Sequence, residues 1–255
     1  MLTDTQLREV FHFCFLNRLL KISDPGMYVL KGGVNLRFFF NSPRYSEDMD
    51  LDVLAGGIST LKKNGYKILR DGSFIRNLRT YGIEGIDIND PEKAKQTGTT
   101  QRFRFGLITS AGLRLPTKVE FSRRQSPGEQ PVKSLINPEI ARQYHKLAYH
   151  CQHYPGEVAV LQKIYALAGR SETQARDVFD LGILHAGGHA NSIKASKTLT
   201  KDIRQRAINA LLSLTFEVFN GQVVEFLDAE NRAIYGSAPA WEQLQETILE
   251  LLDYA

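Results

Sequence analysis

Cysteine is nearly missing from this sequence. Only Cys14 and Cys151 occur in 255 residues, so no disulfide framework is implied, and a reducing cytoplasm is the simplest compartment. No apolar run approaches the ~20 residues that a membrane helix needs, so no membrane partner is expected. The opening MLTDTQLREV lacks the charged and apolar regions of a secretory signal. There is no G-x-S-x-G elbow and no P-loop. The six histidines show no zinc-ligand spacing with a cysteine. No internal repeat or low-complexity tract is visible.

What is present is the balance of a soluble globular protein, 42% hydrophobic and 24% charged. Ten tyrosines and fourteen phenylalanines can supply a sizeable core. The length permits one large domain or two of ordinary size. The net charge of +4 only weakly favours a polyanionic partner. Its distribution is more telling. Arg102, Arg104, Arg114, Lys118, Arg123 and Arg124 crowd the middle, and Lys194, Lys197, Lys201, Arg204 and Arg206 form a second group. Either group can follow a phosphate backbone or simply be solvated surface.

Periodicity divides the chain. Residues 2–20 have helical apolar spacing, with Thr3 or Asp4 as cap. Residues 28–30 read as a short strand, Gly32-Gly33 follow, and residues 34–40 suit a short helix. Residues 49–54 read as a strand that Gly56-Gly57 stops. Residues 66–69 and 73–78 look like hairpin strands joined near Asp71-Gly72. Residues 83–88 suit a strand or a short helix, and 99–108 and 113–122 alternate as two antiparallel strands. A boundary is placed near 126–131, rich in Pro, Gly and Gln. Beyond it the pattern is helical: a helix opened by Pro138, then 157–168, 174–185, 199–219 and 241–252. Phe38, Phe39 and Phe40 are expected to pack the first layer, and Trp241 to anchor the last helix.

The stretch SEDMDLD, residues 46–52, is the densest acidic segment of this first half. On a strand, alternate side chains share a face. Asp48, Asp50 and Asp52 then point one way, and Met49, Leu51 and Val53 the other. Like charges this close raise one another's pKa, and a bound divalent cation removes that cost. Mg²⁺ prefers carboxylate oxygens and commonly bridges protein to substrate phosphates. An edge strand with one wet face fits the same alternation. The double glycine upstream allows close approach of a phosphate to backbone N–H groups, and a following helix start adds donors. In KVEFSR, Lys118, Glu120 and Ser122 share one face. Glu120 either completes a carboxylate cluster across the sheet or pairs with Lys118 at the surface.

With these residues, the segment YVLKGGVNLRFFFNSPRYSEDMDLDVL, 28–54, resembles the core motif of the AbiEii/AbiGii-type nucleotidyltransferase toxins, distant relatives of DNA polymerase beta. That motif is Gly-Gly, then Arg-x-Ser-x-Asp-x-Asp. Gly32, Gly33, Arg44, Ser46, Asp48 and Asp50 occupy its places. The block QKIYALAGRSETQARDVFDL, 162–181, resembles the helical motif of the same family through Lys163, Arg170, Arg176, Asp177 and Asp180. KVEFSRR is similar to its strand carrying a third acid. Together the resemblance covers roughly residues 1–185, and the tail carries nothing to match. Val34 departs from the Thr or Ser that many relatives place after the glycines, which bears on triphosphate affinity.

The resemblance implies an α/β (α+β) fold, with a nucleotidyltransferase-like mixed-sheet domain (1–130) followed by a mainly helical domain (131–255) that contributes Lys163 and Asp177. It implies a Mg²⁺-dependent nucleotidyltransferase that moves a nucleoside monophosphate from an NTP to a hydroxyl. The 3′ end of tRNA is the leading acceptor, with the basic face from Arg102 to Arg124 suited to its backbone. Asp48, Asp50, Asp52 and Glu120 are then the metal ligands. Gly32, Gly33, Arg44, Ser46, Lys163 and Arg170 line the nucleotide, and Asp48, Asp50, Glu120, Lys163 and Asp177 are catalytic. A toxin role implies a separately encoded antitoxin. Nucleotidylation of a protein side chain, or a binding module with a decayed site, are the alternatives. On its own terms the helical block is equally an interhelical ion-pair network.

Overall fold

The first helix begins as its sequence dictates. Thr3 and Gln6 form a reciprocal capping box: Gln6 N donates to Thr3 Oγ (3.3 Å) and Thr3 N to Gln6 Oε1 (2.9 Å). The computed structural model describes residues 2–90, 97–123, 130–191 and 199–253. The chain divides into two compact units, Met1–Phe39 with Tyr45–Tyr154, and Phe40–Arg44 with Pro155–Ala255.

The first unit holds helices α1 (Asp4–Ile22), α2 (Gly32–Phe39), α3 (Ile58–Leu69), α4 (Gly72–Arg79) and α5 (Pro138–Gln143). Its strands are β1 (Tyr28–Lys31), β2 (Met49–Val53), β3 (Ile83–Ile88), β4 (Thr100–Thr109), β5 (Arg114–Ser122), β6 (Val132–Leu135) and β7 (His150–His153). They form one mixed sheet in the order β3-β4-β5-β2-β1-β7-β6. β2 runs parallel to β5 and antiparallel to β1. Met49, Leu51, Val119, Phe121, Phe103 and Phe105 turn into the core with Phe11 and Phe15 of α1. Phe11 meets Phe105 with centroids 5.0 Å apart. α2 is tied to α1 by Arg37 Nε on Glu9 Oε2 (2.5 Å), and Tyr144 holds the other Glu9 oxygen (2.6 Å).

Residues 66–69 and 73–78 are helical, not a hairpin. Asp71 is an N-cap, accepting from Ser73 N (2.7 Å) and Phe74 N (3.2 Å), so Asp71-Gly72 starts α4 instead of turning a strand. Leu61, Gly65, Ile68 and Leu69 recur at helical spacing on the buried face of α3. Gly65 lets α3 close on the sheet, since a Cβ there would sit 2.5 Å from Phe103. The sheet also continues past the boundary expected near 126–131. β7 joins β1 in parallel at Leu30 and His153, and β6 joins β7. Four-residue strands are too short to show an alternation in sequence. Residues 126–129 of that boundary lie outside the described ones.

His12 is buried on α1, its Nε2 3.1 Å from Thr117 Oγ. Burial lowers its pKa to about 4, against a weaker upward pull from Asp48. The unfolded chain therefore takes up a proton near the ordinary value of 6.5 that the folded chain refuses, and stability falls as the pH drops from there toward 4. The loss at pH 4 is on the order of 3 kcal/mol from this group. Denaturant midpoints measured across that window should show it, and His12→Gln should flatten the slope.

The second unit is helical: α6 (Gly156–Gly169), α7 (Ala175–Ala186), α8 (Lys201–Leu212), α9 (Phe216–Gln222), α10 (Ala229–Tyr235) and α11 (Ala238–Asp253). The single helix expected over 199–219 is two, because Thr215 accepts from Val218 N (3.4 Å) and caps a new start. Trp241 is buried and stacks on Phe219 at 4.7 Å, anchoring α11 as expected. Phe38 packs in the first unit's core, whereas Phe40 meets His189 in the second unit. Among the described residues no single helix is long and apolar enough to cross a membrane.

Candidate active site

Strand register assembles a charged row on the sheet face opposite the core. Lys31 of β1 lies opposite Asp50 of β2, Asp50 opposite Glu120 of β5, and Glu120 opposite Arg102 of β4. Residues directly opposite share a face, so two acids sit side by side between two cations. Asp48 lies at the entry to β2. Its carboxylate accepts from the Lys118 backbone N–H (3.1 Å) and from Lys118 Nζ (2.5 Å). Glu120 accepts from Arg102 Nε at 2.5 Å. Of the two readings left open for Glu120, the pairing with Lys118 does not form: Lys118 holds Asp48 and Arg102 holds Glu120.

Asp50 is different. Among the described residues, it alone of the four acids has no hydrogen bond or ion pair. Burial pushes its carboxyl above the ordinary range, and Glu120 and Asp48 add to that against Lys118 and Lys31. Gly32 lies beside it with φ +68°, and a Cβ there would sit 3.1 Å from Asp50 Oδ2. Only glycine adopts that φ freely while leaving this space open. α2 begins at the same residue, and its first-turn N–H groups have no intrahelical acceptor. Gly33 lies in that first turn. Val34 is buried in the core, so its lack of a hydroxyl takes nothing from this turn's backbone donors.

Asp52 does not behave as the expected metal ligand. It is 1% exposed, and both oxygens are taken, Oδ1 by Lys31 Nζ (2.5 Å) and Oδ2 by the Tyr154 hydroxyl (2.8 Å). It anchors β1 and the end of the sheet instead. Ser46 bonds the Asp48 carbonyl through Oγ (2.9 Å) and so shapes the turn into β2. Among the described residues no three His, Cys, Asp or Glu side chains are grouped so as to hold a metal ion. The donor chemistry by itself suits a hard cation: Asp48, Asp50 and Glu120 offer only carboxylate oxygens, and among the described residues Asp50 is the one of them with no hydrogen bond or ion pair. A cavity of about 290 Å³ is built from α1, α4 and Lys146, and holds none of these acids.

In the helical unit, Asp177 and Asp180 lie three residues apart on one face of α7, both fully buried. Lys163 of α6 bonds Asp177 at 3.0 Å and Asp180 at 2.5 Å. Arg170 holds Asp177 (2.8 Å), and Arg44 reaches both Asp180 oxygens at 3.2 Å. Burial would lower the Lys163 pKa, but Asp180 and Asp177 outweigh it and raise it. Arg44, expected at the nucleotide, is therefore spent on Asp180 within this unit.

Three contributors escaped the sequence: Lys31 and Arg102 as counter-ions, and Tyr154 as the second partner of Asp52; Lys118 was read as a partner for Glu120 and instead holds Asp48. Lys31 was detectable from its place directly before the glycines. Of the basic groups, Arg114 is paired with Asp87 (2.7 Å) and Arg206 with Asp202 (3.2 Å), whereas Arg104 is exposed. Arg124, Lys194 and Lys197 lie outside the described residues.

Residues 14–254 match the family described as "Nucleotidyl transferase AbiEii toxin, Type IV TA system". The chain belongs to the AbiEii nucleotidyltransferase toxin family. Membership in the AbiEii family makes it a toxin-type nucleotidyltransferase that uses an NTP, with a separate antitoxin as partner. Two solved structures share the fold of this AbiEii chain. MenT4, a nucleotidyltransferase toxin from Mycobacterium tuberculosis, is similar over 99% of this chain and 85% of its own, at 17% identity and TM-score 0.60. JHP933 from Helicobacter pylori is similar over 99% and 95%, at 19% identity and TM-score 0.50. No curated protein sequence matches.

Proposed function

We propose that this AbiEii-family enzyme transfers a nucleoside monophosphate from an NTP to the 3′ hydroxyl of a tRNA, in a reducing cytoplasm that keeps Cys14 and Cys151 as free thiols. The observation that carries the reading is Asp50, without a hydrogen bond or ion pair among the described residues, set beside Glu120 and the Gly32 turn. Asp48, Asp50 and Glu120 would hold Mg²⁺. When bound, it supplies charge neutralisation at the phosphates and acidifies a coordinated hydroxyl. The N–H groups from Gly32 onward receive phosphate oxygens at the start of α2. Glu120 takes the proton of the attacking hydroxyl. That oxygen bonds to the α-phosphorus, the bridge to the β-phosphate breaks, and pyrophosphate leaves. Position and electrostatics do most of this work.

Within the helical unit, Asp177 orients Lys163 through a 3.0 Å hydrogen bond, and Asp180 pairs with it as well. Exposed Arg104, on the same sheet face as Glu120, suits a tRNA backbone. The test is incubation of the protein with total RNA, Mg²⁺ and each labelled NTP in turn, followed by sizing of the product. Label in tRNA-sized RNA, absent with Asp48→Ala, is the expected result. Label in protein would move the acceptor to a side chain. No label under any NTP would favour a binding module.

A further inference from the structure

Two of the acids in the charged row carry a cation of their own, and both pairs lie within reach of solvent. Lys118 and Asp48 are 27% and 28% exposed at the side chain, Arg102 and Glu120 24% and 20%. The third pair differs. Asp52 is 1% exposed at the side chain and is held from two sides, by Lys31 and by Tyr154. Lys31, itself 24% exposed at the side chain, is thus bound to a buried acid, whereas Lys118 and Arg102 are bound to acids that solvent and ions can reach. Asp48 also keeps a second anchor. The Lys118 backbone N–H holds Oδ1, whereas the ammonium holds Oδ2. If the ammonium leaves, the carboxylate keeps its bearing.

We infer that Lys118 and Arg102 are built-in counter-ions that occupy Asp48 and Glu120 until a divalent cation displaces them. The inference rests on the proposed metal role of Asp48, Asp50 and Glu120. Like-charged acids two residues apart on β2 and directly opposite on β5 repel when bare. The two cations remove much of that repulsion, so the sheet folds in either state. The occupant that displaces them must be a small hard cation with more charge than an ammonium or guanidinium, which is the chemistry of Mg²⁺ or Mn²⁺. Lys118 and Arg102 are thus positioning residues that set metal affinity. They lower it, because each must be pulled from its carboxylate first. A charge-assisted bond of this kind is worth roughly a tenfold change in an equilibrium constant.

The test uses the whole protein and Mn²⁺ alone, with bound metal read by electron paramagnetic resonance. Lys118→Met and Arg102→Met should each bind Mn²⁺ about tenfold more tightly than wild type, and Asp50→Asn in either background should remove the gain. A second measurement needs no variant. Amine-specific labelling followed by mass spectrometry should show Lys118 becoming more reactive when Mn²⁺ is added to the wild-type protein, with exposed Lys67 of α3 unchanged as internal control. Unchanged or weaker affinity in both variants, or Lys118 reactivity indifferent to Mn²⁺, overturns the inference while the metal reading stands. If neither wild type nor variant binds Mn²⁺, the metal reading falls too. Binding that survives Asp50→Asn places the ion elsewhere and overturns the inference as well.

Discussion

Asp50→Asn is expected to abolish nucleotide transfer while leaving the protein folded and more heat-stable. The two effects share one cause. Burial, with Glu120 and Asp48, disfavours the charge on Asp50 by more than Lys118 and Lys31 favour it, and no described residue bonds it. Asn has the same shape and no charge. Without added metal, the substitution therefore removes repulsion at no cost in packing, a gain of about 1 kcal/mol of the size seen when strained functional sites are relieved. In the proposed reaction the same charge would help to hold the divalent cation. Losing a ligand of that kind costs several kcal/mol of transition-state stabilisation, or about a thousandfold in rate. A thermal melt without divalent metal and an assay of labelled NTP incorporation check both sides. An active Asp50→Asn enzyme, or an inactive one that melts lower than wild type, would make Asp50 a structural residue and remove the basis of the proposed site.

Asp180→Ala has the opposite signature, a large loss of stability. Asp180 is fully buried in the helical unit and is bound by Lys163 and, through both oxygens, by Arg44. Burial alone would raise its pKa, but Arg44 and Lys163 outweigh that and hold it below the ordinary carboxylate value. Its stabilisation is therefore present above the unfolded pKa and is lost as the pH falls through the folded one. Truncation leaves Lys163 facing Asp177 alone and takes the carboxylate from Arg44. Breaking a buried pair in this way typically costs about 3–5 kcal/mol. Denaturant midpoints give the measurement. Adding Lys163→Met to Asp180→Ala should recover part of the loss, with a coupling above about 1 kcal/mol, since the second change removes the charge the first stranded. A loss under about 1 kcal/mol for Asp180→Ala would mean that water or rearrangement satisfies the cations.

These two aspartates show how unevenly the molecule was legible. Asp50 stands in a local pattern, acid alternating with apolar residue after a double glycine, and local periodicity is enough to put it on a strand face. Asp180 stands in a helical motif whose three-residue spacing from Asp177 is likewise local. A cap at Thr3 or Asp4, the alternation of β4 and β5 and the helices at Glu157, Asp177 and Trp241 were readable for the same reason. Residues 66–69 and 73–78 were not, because a short apolar run has no period of its own and Asp71-Gly72 serves a helix cap as well as a turn.

The amino-acid order by itself determined which residues carry charge on a strand face, where glycine must turn the backbone, and that a mixed sheet precedes a helical half. Those properties depend on neighbours a few positions away. Only the tertiary structure decided the partners. Asp52 became an anchor because Tyr154, 102 positions later, brings its hydroxyl to one oxygen and Lys31 its ammonium to the other. Lys118 went to Asp48, and Arg102 to Glu120, because β5 lies between β2 and β4 in one particular register. Register is set by how whole strands bury their apolar faces together, and no single segment contains that information.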